Sequence, residues 1–314
     1  MAGEVSAVVS LTDHLERYLE VRRSVGFRLE DHGHVLPGFV RAATERGETT
    51  VHTETALAWA LDATSEGGVV RRLSMVRGFA RYLVAFDATT EVPGRGLGPP
   101  DPGRTTPHIF SDEEIARLIE AADTLTPATW GATMATIVGL MTATGLRTSE
   151  VRQLDRSHVD LDLAQITVWH SKFGRSRRIP LHETTVEALA GYRTRHDQGF
   201  SNPDDTEAFF VSPGGRRLTS AVVSPAFREL CRVADVTAAV GRRKVVLGDL
   251  RHGFAVSTLL GWHRAGVDVG RQLPVLSAYL GHVNPRNTYW YLEATPELMA
   301  LVAERLERSS GGQL

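Results

Sequence analysis

Five short segments carry an arginine, a lysine, a second arginine, a histidine and a tyrosine in order along this 314-residue chain. They are Thr144-Gly-Leu-Arg147-Thr-Ser-Glu150, Ser171-Lys172-Phe-Gly-Arg175, Asp249-Leu-Arg251-His252, Leu280-Gly-His282, and a tyrosine close behind at Tyr289 or Tyr291. These residue types suit phosphodiester chemistry, which needs a nucleophile, cations against the phosphoryl oxygens and a proton for the leaving oxygen. Arg147 and Arg251 each offer a planar fork of donors that matches two phosphate oxygens. Lys172 is a candidate to protonate a leaving oxygen, and His282 to donate to a phosphoryl oxygen. A tyrosine phenol, with an ordinary pKa of about 10, attacks only where cations and a proton acceptor assist it. Neither a His-Glu-x-x-His run nor a cysteine pair nor a tight carboxylate cluster gives metal-ligand spacing, so no metal or cofactor is expected.

The elements that must hold these residues read from periodicity. Leu11, Leu15, Tyr18, Leu19 and Arg22 follow the 3.6-residue period of a helix that stops before Gly26. Leu36, Phe39 and Val40 mark a second helix. Thr53 is the expected cap of a third, holding Ala56, Leu57, Trp59 and Ala60, and a fourth runs from Val69 to Leu83. On that fourth helix Arg77 and Arg81, four apart, share a face turned away from the apolar stripe. The glycines and prolines of 92–107 suit neither helix nor strand. That stretch is expected to be an extended linker between a helical domain, 1–91, and a larger domain, 108–314.

In the larger domain Ser111-Asp-Glu-Glu114 is a capping box that opens an amphipathic helix, and Ala128 to Thr144 is an apolar, buried one. Val159–Leu163, Gln165–Trp169 and Arg177–Leu181 read as short strands, the last two a hairpin through Gly174 with Lys172 near its tip. Helices follow at 183–195, 220–234, 249–262, 272–280 and 296–308, the last with an apolar face of Leu298, Leu301, Val302 and Leu306. The fold class expected is mainly α with one small β-sheet.

Composition is that of an ordinary globular chain, with no apolar run long enough for a membrane span and no basic-then-apolar start. A cytoplasmic protein is expected, and Cys231, the only cysteine, belongs in the core of its helix. The net charge of −2 is a mild argument against nucleic acid, but the basic residues are clustered. Arg71, Arg72, Arg77 and Arg81 lie in a stretch without acids, as do Lys172, Arg175, Arg177 and Arg178; Arg242, Arg243 and Lys244 make a third group. Any one cluster reads as a solvated face. Three of them, each in or beside a candidate DNA-facing element, are taken as DNA-binding candidates, with Arg175, Arg177 and Arg178 contacting backbone or solvent.

In order and spacing the five segments resemble the tyrosine recombinase (phage integrase) family over most of residues 108–305. The resemblance implies a helical, SAM-like core-binding domain followed by an α+β catalytic domain. It implies cleavage and rejoining of DNA at specific sites through a 3′-phosphotyrosine, with double-stranded DNA as partner. It also implies assembly as a homo-tetramer on DNA, or with related recombinases, in the cytoplasm at a bacterial nucleoid. By resemblance Arg147, Lys172, Arg251 and His282 serve the scissile phosphate, Glu150 supports Arg147, and Tyr291, nine residues after His282, is the nucleophile. The run from Leu280 to Met299 looks most like recombinases encoded in threes on bacterial mobile elements. One member of the pattern departs. The family's histidine three residues before the second arginine is Gly248 here. His252 points about 100° away on a helix, and Asp249 is expected as the helix N-cap. Either water or a basic group such as Lys244 takes the proton, or activity is reduced, which makes an accessory DNA-binding protein of the same fold the alternative.

Overall fold

The computed structural model describes residues 9–27, 29–100, 106–169, 176–199, 207–239, 243–282 and 288. Contacts divide the chain into two compact units, Met1–Arg104 and Thr105–Leu314.

Among its described residues the first unit holds four helices: α1 (Leu11–Ser24), α2 (Glu30–Glu45), α3 (Thr53–Leu61) and α4 (Glu66–Leu83). Ser10 and Asp13 form a capping box at α1. Leu15, Tyr18, Leu36, Phe39, Val76 and Phe79 pack together at the periodic positions. Thr53 is the first residue of α3 and not its cap. His52 holds the cap position without a side-chain bond, and the Glu91 carboxylate accepts the Thr53 N–H at 2.7 Å instead. Residues just after Glu91 stay on this unit, because Leu97 packs against Ala60, Val69 and Leu73.

The second unit is built round α6 (Ala128–Thr144), whose Met134, Ile137, Val138 and Met141 are fully buried. Against it lie α5 (Asp112–Ala121), which opens with the expected Ser111–Glu114 capping box, and the short α7 (Thr148–Arg152). Three antiparallel strands follow in the order β1 (Val159–Asp160), β2 (Gln165–Val168), β3 (Arg177–Pro180). Gln165 pairs with Pro180 and Val168 with Arg177, so β2 and β3 are the antiparallel pair expected from the sequence. Strand β1 is only two residues long, since the chain turns at Leu161–Ala164 and leaves Leu163 exposed. Ile166 and Ile179 close the sheet's inner face onto the core.

Next come α8 (Glu183–Gly199), α9 (Ser220–Val233), α10 (Asp249–Arg264) and α11 (Val269–Leu280). Cys231 sits in the α9 side of the core; burial, then the charges of Asp249 and Glu114, push its thiol up to about 11. The helix expected at 296–308 lies outside the described residues. Among them, no helix is long and apolar enough to cross a membrane.

Candidate active site

Helix α6 ends where the chain must turn sharply. Gly145 caps it in the left-handed region (φ 61°), and a Cβ there would sit 2.5 Å from the Phe254 ring, so only glycine fits. Two residues on, Arg147 occupies the N-cap of α7 and Glu150 its third position. Glu150 accepts the Arg147 backbone N–H at 2.9 Å and Arg147 Nη1 at 2.7 Å. One carboxylate therefore caps the helix and aims the arginine.

The same carboxylate has a second cation. Arg177 donates Nη1 and Nη2 to its two oxygens at 2.9 and 2.8 Å. Arg177 was expected to meet solvent or a DNA backbone; the structure turns it inward. The reason is strand alternation: Arg177 shares a face of β3 with buried Ile179, while Arg178 and Pro180 share the exposed one. Burial alone would push the Glu150 carboxyl up. The hydrogen bonds and charge of Arg177, then those of Arg147, outweigh it and hold the group down at about 2.

Three arginines meet the end of α11. Arg177 Nε donates to the Tyr279 carbonyl at 2.7 Å, Arg251 Nη2 to Leu280 at 2.6 Å and Arg147 Nη2 to Gly281 at 2.6 Å. These are carbonyls that a helix leaves without partners, at its negative end. Gly281 takes φ 66°, and a Cβ on it would stand 3.0 Å from Arg177 Nη1. Arg251, on the first turn of α10, also donates Nη1 to the Gly145 carbonyl at 2.7 Å, tying the ends of α6 and α11 together. Immediately after this turn, His282 Nε2 lies 3.1 Å from Arg251 Nη2. A guanidinium only donates, so Nε2 accepts, and the Nδ1–H donates to Thr288 Oγ1 at 2.8 Å. Burial first, then the charges of Arg251, Arg147, His252 and Arg177, push the imidazole down to about 3.

Arg147, Arg251 and His282, from three separate stretches, thus meet at one turn of backbone, and the one N–H of the neutral imidazole, expected to face a phosphoryl oxygen, is given to Thr288. In comparison with known proteins, the model of the phage integrase family matches residues 109–297. The chain belongs to that family. It is 36% identical to y4rB, named an integrase/recombinase, of Sinorhizobium fredii, over 94% of this chain and 96% of that one. It is 30% identical to the tyrosine recombinase XerD of Caulobacter vibrioides, over 76% of this chain and 75% of that one. In fold it is similar to the Tn1549 transposon integrase, solved with transposon right-end DNA, at a TM-score of 0.64 and 16% identity, covering 93% and 99% of the two chains. The protein is thus a tyrosine recombinase, a mainly helical enzyme of site-specific DNA recombination.

Gly248 is the N-cap of α10, and Asp249 is the first helical residue, not the cap expected from the sequence. Asp249 is fully buried, accepts the Val246 N–H at 3.0 Å and pairs with both Nη atoms of Arg243. A carboxylate at the head of α10 suits the positive end of that helix, and its burial accounts for the ion pair. Arg243 is thereby spent on the fold, while Lys244 is exposed. Gly248 is in ordinary helical conformation (φ −63°, ψ −17°), and a Cβ there would meet only Thr148 Oγ1, at 3.9 Å. Neither backbone nor crowding demands glycine at this place in the recombinase.

In the other basic clusters, Arg71 pairs with Asp31 at 3.0 Å, and Arg72 lies over the Trp59 ring and donates to the Trp59 carbonyl. Arg81 and Arg178 are exposed and Arg77 is half-buried. Tyr279, the remaining tyrosine near the motif, stacks on Phe254, and burial raises its phenol's pKa. Lys172, Arg175, Arg242, Tyr289 and Tyr291 lie outside the described residues. Arg177 is the candidate whose inward place, on Glu150 and the Tyr279 carbonyl, the sequence did not predict.

Proposed function

We propose that this recombinase cleaves and rejoins duplex DNA with Tyr291 as nucleophile and Arg147, Arg251, His282 and Lys172 serving the scissile phosphate. The observation that supports it best is the convergence of Arg147, Arg251 and His282 on the Leu280–Gly281 turn. Arg147 has five N–H donors, of which Glu150 and Gly281 take one each among the described residues, so a fork edge remains for a phosphate. The Tyr291 phenol gives its proton to water or to a basic group such as Lys244 as its oxygen attacks phosphorus, and the bond to the 5′ oxygen breaks, with Lys172 giving that oxygen its proton. The product is a 3′-phosphotyrosine and a free 5′ hydroxyl. A 5′ hydroxyl of a partner strand then attacks the ester and releases the tyrosine, so no energy source is consumed. A preorganised charge contact of this kind contributes roughly 3–4 kcal/mol to the transition state.

Duplex DNA as partner has support from the DNA complex of the similarly folded Tn1549 integrase. Assembly as a tetramer, or with related recombinases of a mobile element, and docking of the 296–308 segment on a neighbour belong to the same proposal. Gly248 favours a second reading, a weakened enzyme that positions DNA for active relatives. A nicked suicide duplex carrying the recombination site separates the two. The enzyme leaves a covalent protein–DNA adduct that Arg147→Ala and Arg251→Ala each reduce by roughly 10²-fold or more. Tight, specific binding without any adduct supports the accessory protein.

A further inference from the structure

His282 is held at both ring nitrogens. Nε2 lies 3.1 Å from Arg251 Nη2, and Nδ1 lies 2.8 Å from the hydroxyl of Thr288, further along the chain. A guanidinium only donates, so the single proton of the neutral ring sits on Nδ1, where the Thr288 oxygen receives it. The partner of one ring nitrogen thereby fixes the state of the other. Thr288 is fully buried, so water does not take the place of its hydroxyl. The opposite tautomer would set an Nε2–H against the Nη2–H of Arg251, donor against donor. Arg251 Nη2 serves the Leu280 carbonyl and His282 Nε2, so the lone pair on Nε2 helps to hold this fork in place. A phosphoryl oxygen that reaches Arg251 meets the Nε2 edge of the ring. A proton gained there makes Nε2 a donor to that oxygen while Nδ1 stays on Thr288.

We propose that Thr288 is a positioning residue for strand cleavage: its hydroxyl takes the Nδ1–H of His282 and so keeps the Nε2 edge turned to Arg251 and the scissile phosphate. The role in cleavage rests on the recombinase reading above, whereas the setting of the tautomer does not. Thr288 stands three residues before Tyr291, so the same bond ties the imidazole to the stretch that carries the proposed nucleophile.

The test pairs two readouts on wild type, T288S and T288V. Long-range proton–nitrogen NMR of His282 in the full chain without DNA reports which ring nitrogen carries the proton. Trapping on the nicked suicide duplex, at saturating protein, reports the rate of adduct formation. Wild type and T288S, which keeps the hydroxyl, are expected to hold the proton on Nδ1 and to form adduct at similar rates. T288V keeps nearly the same shape but offers no acceptor. Its His282 should shift the proton towards Nε2, and its adduct should form roughly 10-fold more slowly, the loss of one hydrogen bond in the reacting site. Duplex binding should stay at the wild-type level. An Nε2–H ring in wild type would overturn the proposal whether or not T288V folds. A T288V protein that keeps Nδ1–H, or one that loses it and still forms adduct at the wild-type rate, would overturn it as well. T288S as slow as T288V would show that the methyl group matters and the hydroxyl does not, with the same result. A wild type that holds Nδ1–H and forms no adduct would overturn the role in cleavage together with the Tyr291 reading, and would leave Thr288 as the group that sets the tautomer.

Discussion

Arg177 and Glu150, 27 residues apart, face each other as fork and carboxylate, with parallel hydrogen bonds of 2.9 and 2.8 Å. Arg177 also holds the Tyr279 carbonyl, so one side chain fixes both the acid that aims Arg147 and the helix end that precedes His282. Its removal leaves a buried carboxylate short of a partner, which costs ~3–5 kcal/mol. Arg177→Ala is expected to lose that much in denaturant unfolding. Arg177→Lys keeps the charge but cannot span both oxygens. It should recover part of the stability while adduct formation stays slow. Full adduct formation in Arg177→Lys would count against the positioning role.

Acid should unfold the protein partly through Glu150. Its folded pKa of about 2 lies below the ordinary carboxylate value. The stabilisation is therefore complete above about pH 4.3 and is lost as pH falls from there through the folded value. Glu150→Gln should flatten that acid limb of stability against pH. An unchanged limb would show that other carboxylates account for it.

His282 behaves in the opposite chemical sense with the same direction in pH. Its folded pKa, about 3, lies below the ordinary histidine value of about 6.5, so the unfolded chain binds the extra proton between them. Stability is complete above about pH 6.5 and falls on acidification towards the folded value. A phosphate placed on the arginines would cancel part of the field that depresses the imidazole. Titration of His282 by NMR should show its pKa rising when duplex DNA is bound. A pKa that stays put in the complex would mean His282 does not face the phosphate.

Gly248 is open to a larger side chain. Gly248→Ala should stay within about 1 kcal/mol of wild type, because the backbone is helical and the nearest atom to its Cβ is 3.9 Å away. Gly248→His should fold and, by supplying a proton acceptor, speed adduct formation roughly 10²-fold near neutral pH. No acceleration would show that another group already takes the phenol's proton.

Much of this site is legible in the sequence because its parts are local. The Gly145 cap, the Arg147–Glu150 spacing, the Ser111 capping box and the 165–180 hairpin each depend on residues within a few positions. What was not legible depends on distance in the chain. Arg147 reaches a carbonyl 134 residues away and Arg251 one 106 residues away. Arg177 looked like one of three exposed hairpin cations, although its alternation with Ile179 on β3 was a usable signal of the inward face. Asp249 looked like a cap because helix starts favour aspartate, but its partner, Arg243, comes from the loop before the helix. The packing of Leu97 on Ala60, Val69 and Leu73 was hidden because a glycine- and proline-rich stretch reads as linker whether or not Leu97 holds it down.

The proposed mechanism turns on the attachment of DNA to Tyr291. The direct measurement is the identity of the linked residue: trap the adduct on a nicked suicide duplex, digest it and sequence the nucleotide-bearing peptide by mass spectrometry. The expected result is a phosphotyrosine at Tyr291, an adduct absent from Tyr291→Phe and an adduct retained in Tyr289→Phe. An adduct that persists in Tyr291→Phe, or a nucleotide found on Tyr289, would contradict it.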